Sequence, residues 1–111
     1  MAALKAEIWV GALLRRAASA GAAAYVARRG DPDAGVVILK VSRLDGTVDV
    51  YLPARDLEGE RAWRRGAVAA IEADADAAVR RETDYDPDCW VVEIEDRQGR
   101  HFLTEPVLET P

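Results

Sequence analysis

The sequence predicts an α+β domain: a mostly antiparallel sheet of about five to six strands with two helices packed on one face, in the order α-β-β-β-β-α-β-β. Three observations predict it. Two amphipathic runs at helical spacing lie near residues 4–20 and 70–83, and short apolar runs bounded by Gly and Pro turns fill the rest. One construction also occurs twice. Asp31-Pro32-Asp33 leads into Val36-Val37-Ile38-Leu39 and the turn Asp45-Gly46, while Asp86-Pro87-Asp88 leads into Trp90-Val91-Val92, Ile94 and the turn Gln98-Gly99. Proline after Asp enforces an extended approach and pre-sets the first turn residue, so each copy aims a strand. The order lacks the strand-helix alternation of a parallel sheet.

At 100° per residue Ala6, Trp9, Val10, Leu13, Ala17 and Ala20 share one stripe, with Lys5, Arg15, Arg16 and Ser19 opposite and Gly21 as the stop. Leu4 and Ile8 fall on the polar side, as a core fringe or as an apolar strip for a partner. The run Ile8 to Leu14 imitates a signal peptide, but Glu7 abuts it and Arg15-Arg16 block the cleavage region, so a helix of the mature protein is expected. Residues 22–29 read as a strand closed by Gly30. A two-residue Asp45-Gly46 loop would pair Val41 with Val50 and Leu39 with Leu52, leaving Ile38, Lys40, Ser42, Asp49 and Tyr51 on the other face. The shifted register, Val41 against Asp49, mixes the faces and is rejected. A short strand near Arg61–Arg64 follows, then a helix over about 70–83 with Ile71, Ala75, Ala78 and Val79 as its buried stripe. The second Asp-Pro-Asp launches a final hairpin, Cys89–Asp96 with Arg100–Glu105. Residues 1–111 make a single α+β domain, with 105–111 an irregular tail.

Length and composition narrow the function classes. The 111 residues suffice for one core. The net charge of −5 opposes broad nucleic-acid or anionic-membrane binding, so neither partner is expected. Only Lys5 and Lys40 among the fifteen basic residues are Lys, and with the many alanines this suggests a GC-rich bacterial genome. The lone Cys89 excludes an internal disulfide and a CxxC site, and fits a reducing cytoplasm.

The chemical constellations are few. Cys89 and His101 would make a nucleophilic pair only if adjacent, and the expected hairpin holds them apart. Cys89 is instead a small buried hydrophobe with a sluggish thiol, flanked by Asp86 and Asp88. Glu93, Glu95, Asp96 and His101 resemble a loose cation site but read better as a solvated strand face. Arg28, Arg29, Lys40 and Arg43 would converge on an open sheet face, where Arg forks suit a carboxylate or phosphate. Pairing with the chain's own surplus acids is the simpler reading. Trp9, Trp63 and Trp90 look like core, and no nucleotide-binding, hydrolase or zinc motif is present. No catalytic residue, metal or cofactor is therefore assigned.

Leu4-Lys5-Ala6-Glu7-Ile8-Trp9-Val10 with Leu13-Leu14-Arg15-Arg16 resembles the opening of a family of short bacterial proteins, the domain of unknown function family 1491. So do Arg28-Arg29-Gly30-Asp31-Pro32-Asp33-Ala34-Gly35 and Asp86-Pro87-Asp88 with Trp90-Val91-Val92-Glu93-Ile94-Glu95-Asp96. The resemblance spans almost the whole chain and implies no activity. The resulting expectation is a non-enzymatic protein-interaction module using Leu4, Ile8, Ile38 and Tyr51, with an unknown protein partner or a weak homodimer. Second comes a small anionic or phosphorylated ligand on Arg28, Arg29, Lys40 and Arg43. Third is an enzyme built on the carboxylates and His101.

Overall fold

In the computed structural model, which describes residues 4–109, helix α1 spans Ala6–Ser19 and helix α2 spans Glu72–Tyr85. The strands are β1 (Ala23–Arg28), β2 (Val37–Ser42), β3 (Thr47–Arg55), β4 (Arg61–Ile71), β5 (Trp90–Glu95) and β6 (Val107–Leu108). They form one sheet in the order β1-β5-β2-β3-β4-β6. β1–β5, β2–β3 and β3–β4 are antiparallel; β2–β5 and β4–β6 are parallel. The α+β class holds, with a mixed sheet. Among the described residues no helix is long and apolar enough to cross a membrane.

The helices cover opposite faces, not one. Ala6, Val10, Leu13 and Ala17 of α1 pack on Val37, Leu39, Val41, Tyr51, Trp90, Val92 and Ile94. Ala75 of α2 packs with Ile38, Val48, Val50, Leu52, Cys89 and Val91 on the other side. The central parts of β2 and β3 are therefore buried on both faces, charged Lys40 and Asp49 included, so alternation does not fix the register there. The observed pairs are Leu39–Tyr51, Lys40–Val50 and Val41–Asp49, one residue away from the expected register. The turn decides it. Arg43 N–H donates to Thr47 O (3.1 Å), leaving a three-residue loop in which Leu44 (φ 62°) and Gly46 (φ 92°) are left-handed. Asp45 completes this loop by accepting from Thr47 N and Oγ1, and those bonds hold its carboxyl below the usual value.

The second expected hairpin does not form. Gly99 N–H does bond to Asp96 O (2.9 Å), so a tight turn follows β5, but the chain cannot return alongside. One edge of β5 is already taken by β1 and the other by β2. Residues 97–106 instead cross the α1 side, where Arg16 donates twice to Phe102 O (3.0 and 2.9 Å). The chain then adds β6 to the far edge, inside the segment expected to be an irregular tail. Thr110 and Pro111 lie outside the described residues, as do Met1–Ala3. β4 is also longer than expected, and Ile71 is exposed rather than buried because α2 begins only after it.

The repeated Asp-Pro-Asp construction has a structural meaning. β2 and β5 are parallel neighbours, with Val37 opposite Trp90, so the two turns launch adjacent strands side by side. They also lock together. Asp31 N–H donates to Asp88 O (2.9 Å), and the Trp90 indole N–H donates to Asp31 O (2.8 Å). Gly30 and Gly35 make this approach possible: a Cβ on Gly35 would stand 2.6 Å from Asp88 O, and one on Gly30 closer still.

Candidate functional site

The ladder between β2 and β3 ends at Leu39–Tyr51. Beyond it β2 pairs only with β5, while Pro53, Ala54 and Arg55 pair only with β4. Proline has no N–H to offer a second neighbour, so the two strands part at Pro53. The N-terminal turn of α1 roofs the gap. Its first amides are held by the loop after β1, Ala6 N–H on Asp33 O (3.1 Å) and Glu7 N–H on Pro32 O (3.0 Å), which replaces a side-chain cap.

A groove of about 360 Å³ results, between α1 and the ends of β2, β3 and β4. Trp63, Trp9 and Val37 line its inner part; Leu4, Val36 and Pro53 stand at its rim. The two indoles lie 5.6 Å apart at 31°. Glu105 grips both: Trp63 Nε1 donates to one carboxylate oxygen (3.0 Å) and Trp9 Nε1 to the other (3.2 Å). Burial pushes the Glu105 carboxyl up, but the bonds from Trp63, its backbone and Trp9, with the charge of Arg61, outweigh burial and leave it below the usual value. Arg55 and Arg61 close the outer end, directly opposite one another across β3 and β4. On the α2 side of the same gap lies a smaller hollow of about 200 Å³, also bordered by Val36 and Pro53.

The interaction strip expected from sequence is only half present. Leu4 (58 % exposed), just before α1, and Ile8 (49 % exposed), on its first turn, are open to solvent, and Leu4 borders the groove. Ile38 and Tyr51 are each 2 % exposed, covered by α2 and by the α1 side respectively, and offer no surface.

The basic cluster does not assemble either. Arg28 donates to Pro87 O (2.9 Å), and Arg29 pairs with Glu7 (3.1 Å) while lying over the Trp90 ring. Lys40 is buried under α2 among Glu72, Asp76 (2.8 Å) and Glu93 (3.7 Å). Its burial would depress the ammonium, yet the hydrogen bonds to Asp76 and Glu72 and the charge of Glu93 hold its pKa above the usual value. Arg43 grips the fully buried Asp49 (2.7 Å), whose other oxygen accepts from Ala69 N–H (2.7 Å). Each of the four cations is spent on the protein's own groups, and opposite faces of the sheet separate Lys40 from Arg43.

The remaining candidates are dispersed. Asp96 is engaged by Arg100, and His101 does not stand opposite Glu95 or Asp96. Its Nδ1 accepts from Leu103 N–H (2.9 Å) and its ring meets Tyr51 edge-on at 5.1 Å. Burial, then the charge of Arg65, lowers the His101 pKa. Among the described residues no three His, Cys, Asp or Glu side chains converge as a metal set. Cys89 is fully buried; burial, then Asp86, raises its thiol against a lowering by Arg28. What sequence reasoning missed was the Trp9–Trp63–Glu105 unit. An indole that is wholly or partly buried, as those of Trp63 and Trp9 are, needs an N–H acceptor, and a proline inside a strand marks a break in the ladder; those were the available signals.

Fold and site together define a small α+β protein whose helices sandwich a mixed sheet that parts at one end over an aromatic groove. The chain belongs to the family described as protein of unknown function (DUF1491), whose model matches residues 4–104 and so stops one residue short of Glu105. A crystal structure of a DUF1491 family protein from Caulobacter crescentus is 51% identical, covers 96% of this chain and 100% of its own, and superposes with a TM-score of 0.88. An NMR structure of a DUF1491 family protein from the same organism gives 50%, 98%, 100% and 0.86. The solution structure of Atu0922 from A. tumefaciens is 31% identical with 97% coverage of both chains and a TM-score of 0.82. A search of the curated proteins found no match.

Proposed function

We propose that this protein is a non-enzymatic interaction module whose groove receives a short segment of a partner protein. The observation that carries this reading is the groove itself: an opening of about 360 Å³, floored by two indoles that Glu105 holds in place, where two strands part. Rigid aromatic anchors bordered by exposed apolar groups are what short protein segments dock against. Leu4 and Val36 supply that apolar border. A cytoplasmic setting belongs to the same reading, supported by the single free thiol in the chain.

Panning a random-peptide library on the protein tests it. Enriched peptides are expected to shift the indole emission and to lose about tenfold or more in affinity on Val36→Glu or Leu4→Asp. Both positions are exposed, so the variants should stay folded. Peptides that bind equally well to both folded variants would place recognition elsewhere and overturn the proposal.

A further inference from the structure

We infer that the occupant of the groove is the C-terminal residue of a partner chain, with its apolar side chain on the Trp9–Trp63 floor and its terminal carboxylate between Arg55 and Arg61. This rests on the interaction reading above and adds the chemistry of the partner. Arg55 and Arg61 are directly paired across β3 and β4. Like charges in that position repel and weaken the strand pair. Among the described residues neither makes an ion pair. Arg55 has one bond, to Gly59 O at 3.3 Å.

Three of the neighbouring acids already have partners. Both oxygens of Glu105 accept from the indoles, and Asp33 sits 3.7 Å from Lys5. Asp56, in the loop joining the two arginine-bearing strands, accepts from Glu58 N–H and Glu60 N–H (2.9 Å each). The outer end of the groove is thus a pair of guanidinium forks that make no ion pair among the described residues, beside an apolar floor, with Glu105 acting on Arg61 only from a distance. A carboxylate between them removes their repulsion and accepts charge-assisted hydrogen bonds. Size sets the rest. About 360 Å³ is at the small end of ligand sites and holds one or two residues. The carboxylate and the apolar group must then be almost adjacent, and a chain terminus carries both on a single Cα.

Three probes decide the matter on the intact 111-residue chain: acetyl-Gly-Leu-Phe as the free acid, the same peptide as its amide, and acetyl-Asp-Leu-Phe-amide, each titrated by indole emission. The free acid is expected to bind roughly five- to tenfold tighter than either amide, with an advantage that shrinks as salt rises. Arg55→Gln and Arg61→Gln should each remove most of that advantage while leaving the melting temperature unchanged or slightly higher, because the repulsion goes with the charge. A purely structural role for these arginines would instead lower the melting temperature. Equal binding of acid and amide, equal binding of the Asp peptide, or unchanged affinity in both Gln variants would overturn the inference. If acid and amide bind equally and both are lost in Val36→Glu, the terminal-carboxylate inference fails while the groove's role in interaction stands. If none of the probes shifts the emission, the inference also falls, and peptide panning alone then judges the broader reading.

Discussion

Asp96 is 7 % exposed, and Arg100 engages both of its oxygens while its own N–H donates to one of them (2.8–2.9 Å). Those bonds outweigh burial and bring the Asp96 pKa from 3.8 down to about 2. A carboxylate depressed on folding stabilises above its unfolded pKa, and that contribution disappears as pH falls through the folded value. Asp96 should therefore add about 1–2 kcal/mol at neutral pH, discounted because Arg100 faces solvent, and lose it between about pH 4 and about pH 2. Urea midpoints across that range should fall for the wild type and change less for Asp96→Asn, which starts lower. Equal slopes for the two proteins would show that this pair does not govern the acid limb. Residue identity alone suggested a solvated acidic strand face here. The pairing was hidden because the partner, Arg100, reaches back across a turn that was expected to begin a return strand.

At the scale of one element, α2 has little apolar surface with which to hold the sheet: Ala75 and Ala78 are its buried residues, with Val79 packed at the edge. Lys40 supplies the rest. Its Nζ rises from β2 to meet Glu72 and Asp76, one turn apart on α2, and Glu93 on β5. Removing a buried cation strands the carboxylates that it neutralised. Lys40→Ala is expected to cost roughly 2–3 kcal/mol, below the fully buried case because Glu72 and Asp76 face water. Glu72→Gln should cost under about 1 kcal/mol, since two acids remain. Denaturant titration checks both, and equal small losses would mean that the ammonium is not the tie. The helix itself was legible from its spacing and early acids. Its side of the sheet was not, since Lys40 on a strand reads equally as an exposed cation and as a buried anchor.

Across the whole molecule, the segment after β5 ties distant parts together. It leaves position two of the sheet, passes α1 with Arg100 on Ala20 O and Arg16 on Phe102 O, clamps two tryptophans through Glu105, and joins the far edge as β6. Ending the chain after Thr104 should therefore act well beyond the lost strand. Both indole N–H groups would lose their acceptor, and the Trp63 amide would lose Pro106 O (2.9 Å). An unmet buried donor costs about 1–3 kcal/mol, so a total loss of about 2–4 kcal/mol with red-shifted indole emission is expected after water replaces some of these bonds. Calorimetry and fluorescence check it. A truncated protein with unchanged emission would mean that the clamp does not order the groove.

What the sequence determined by itself was local: both helices, β1, β2, β3 and β5 within a few residues, the start of β4 but not its length, the two Asp-Pro-Asp launching turns and the burial of Cys89. Each follows from spacing, turn chemistry or polarity that a short window contains. The tertiary structure alone decided which strands are neighbours. With the central parts of β2 and β3 buried on both faces, alternation could not distinguish one register from the next, and a left-handed Leu44 settled it. With both edges of β5 occupied, the turn at Gly99 could not become a hairpin, so the chain crossed the molecule instead. The groove exists only because of these choices. Trp9, Trp63 and Glu105 lie up to 96 residues apart in the chain, and no local pattern brings a carboxylate to two indoles over that distance.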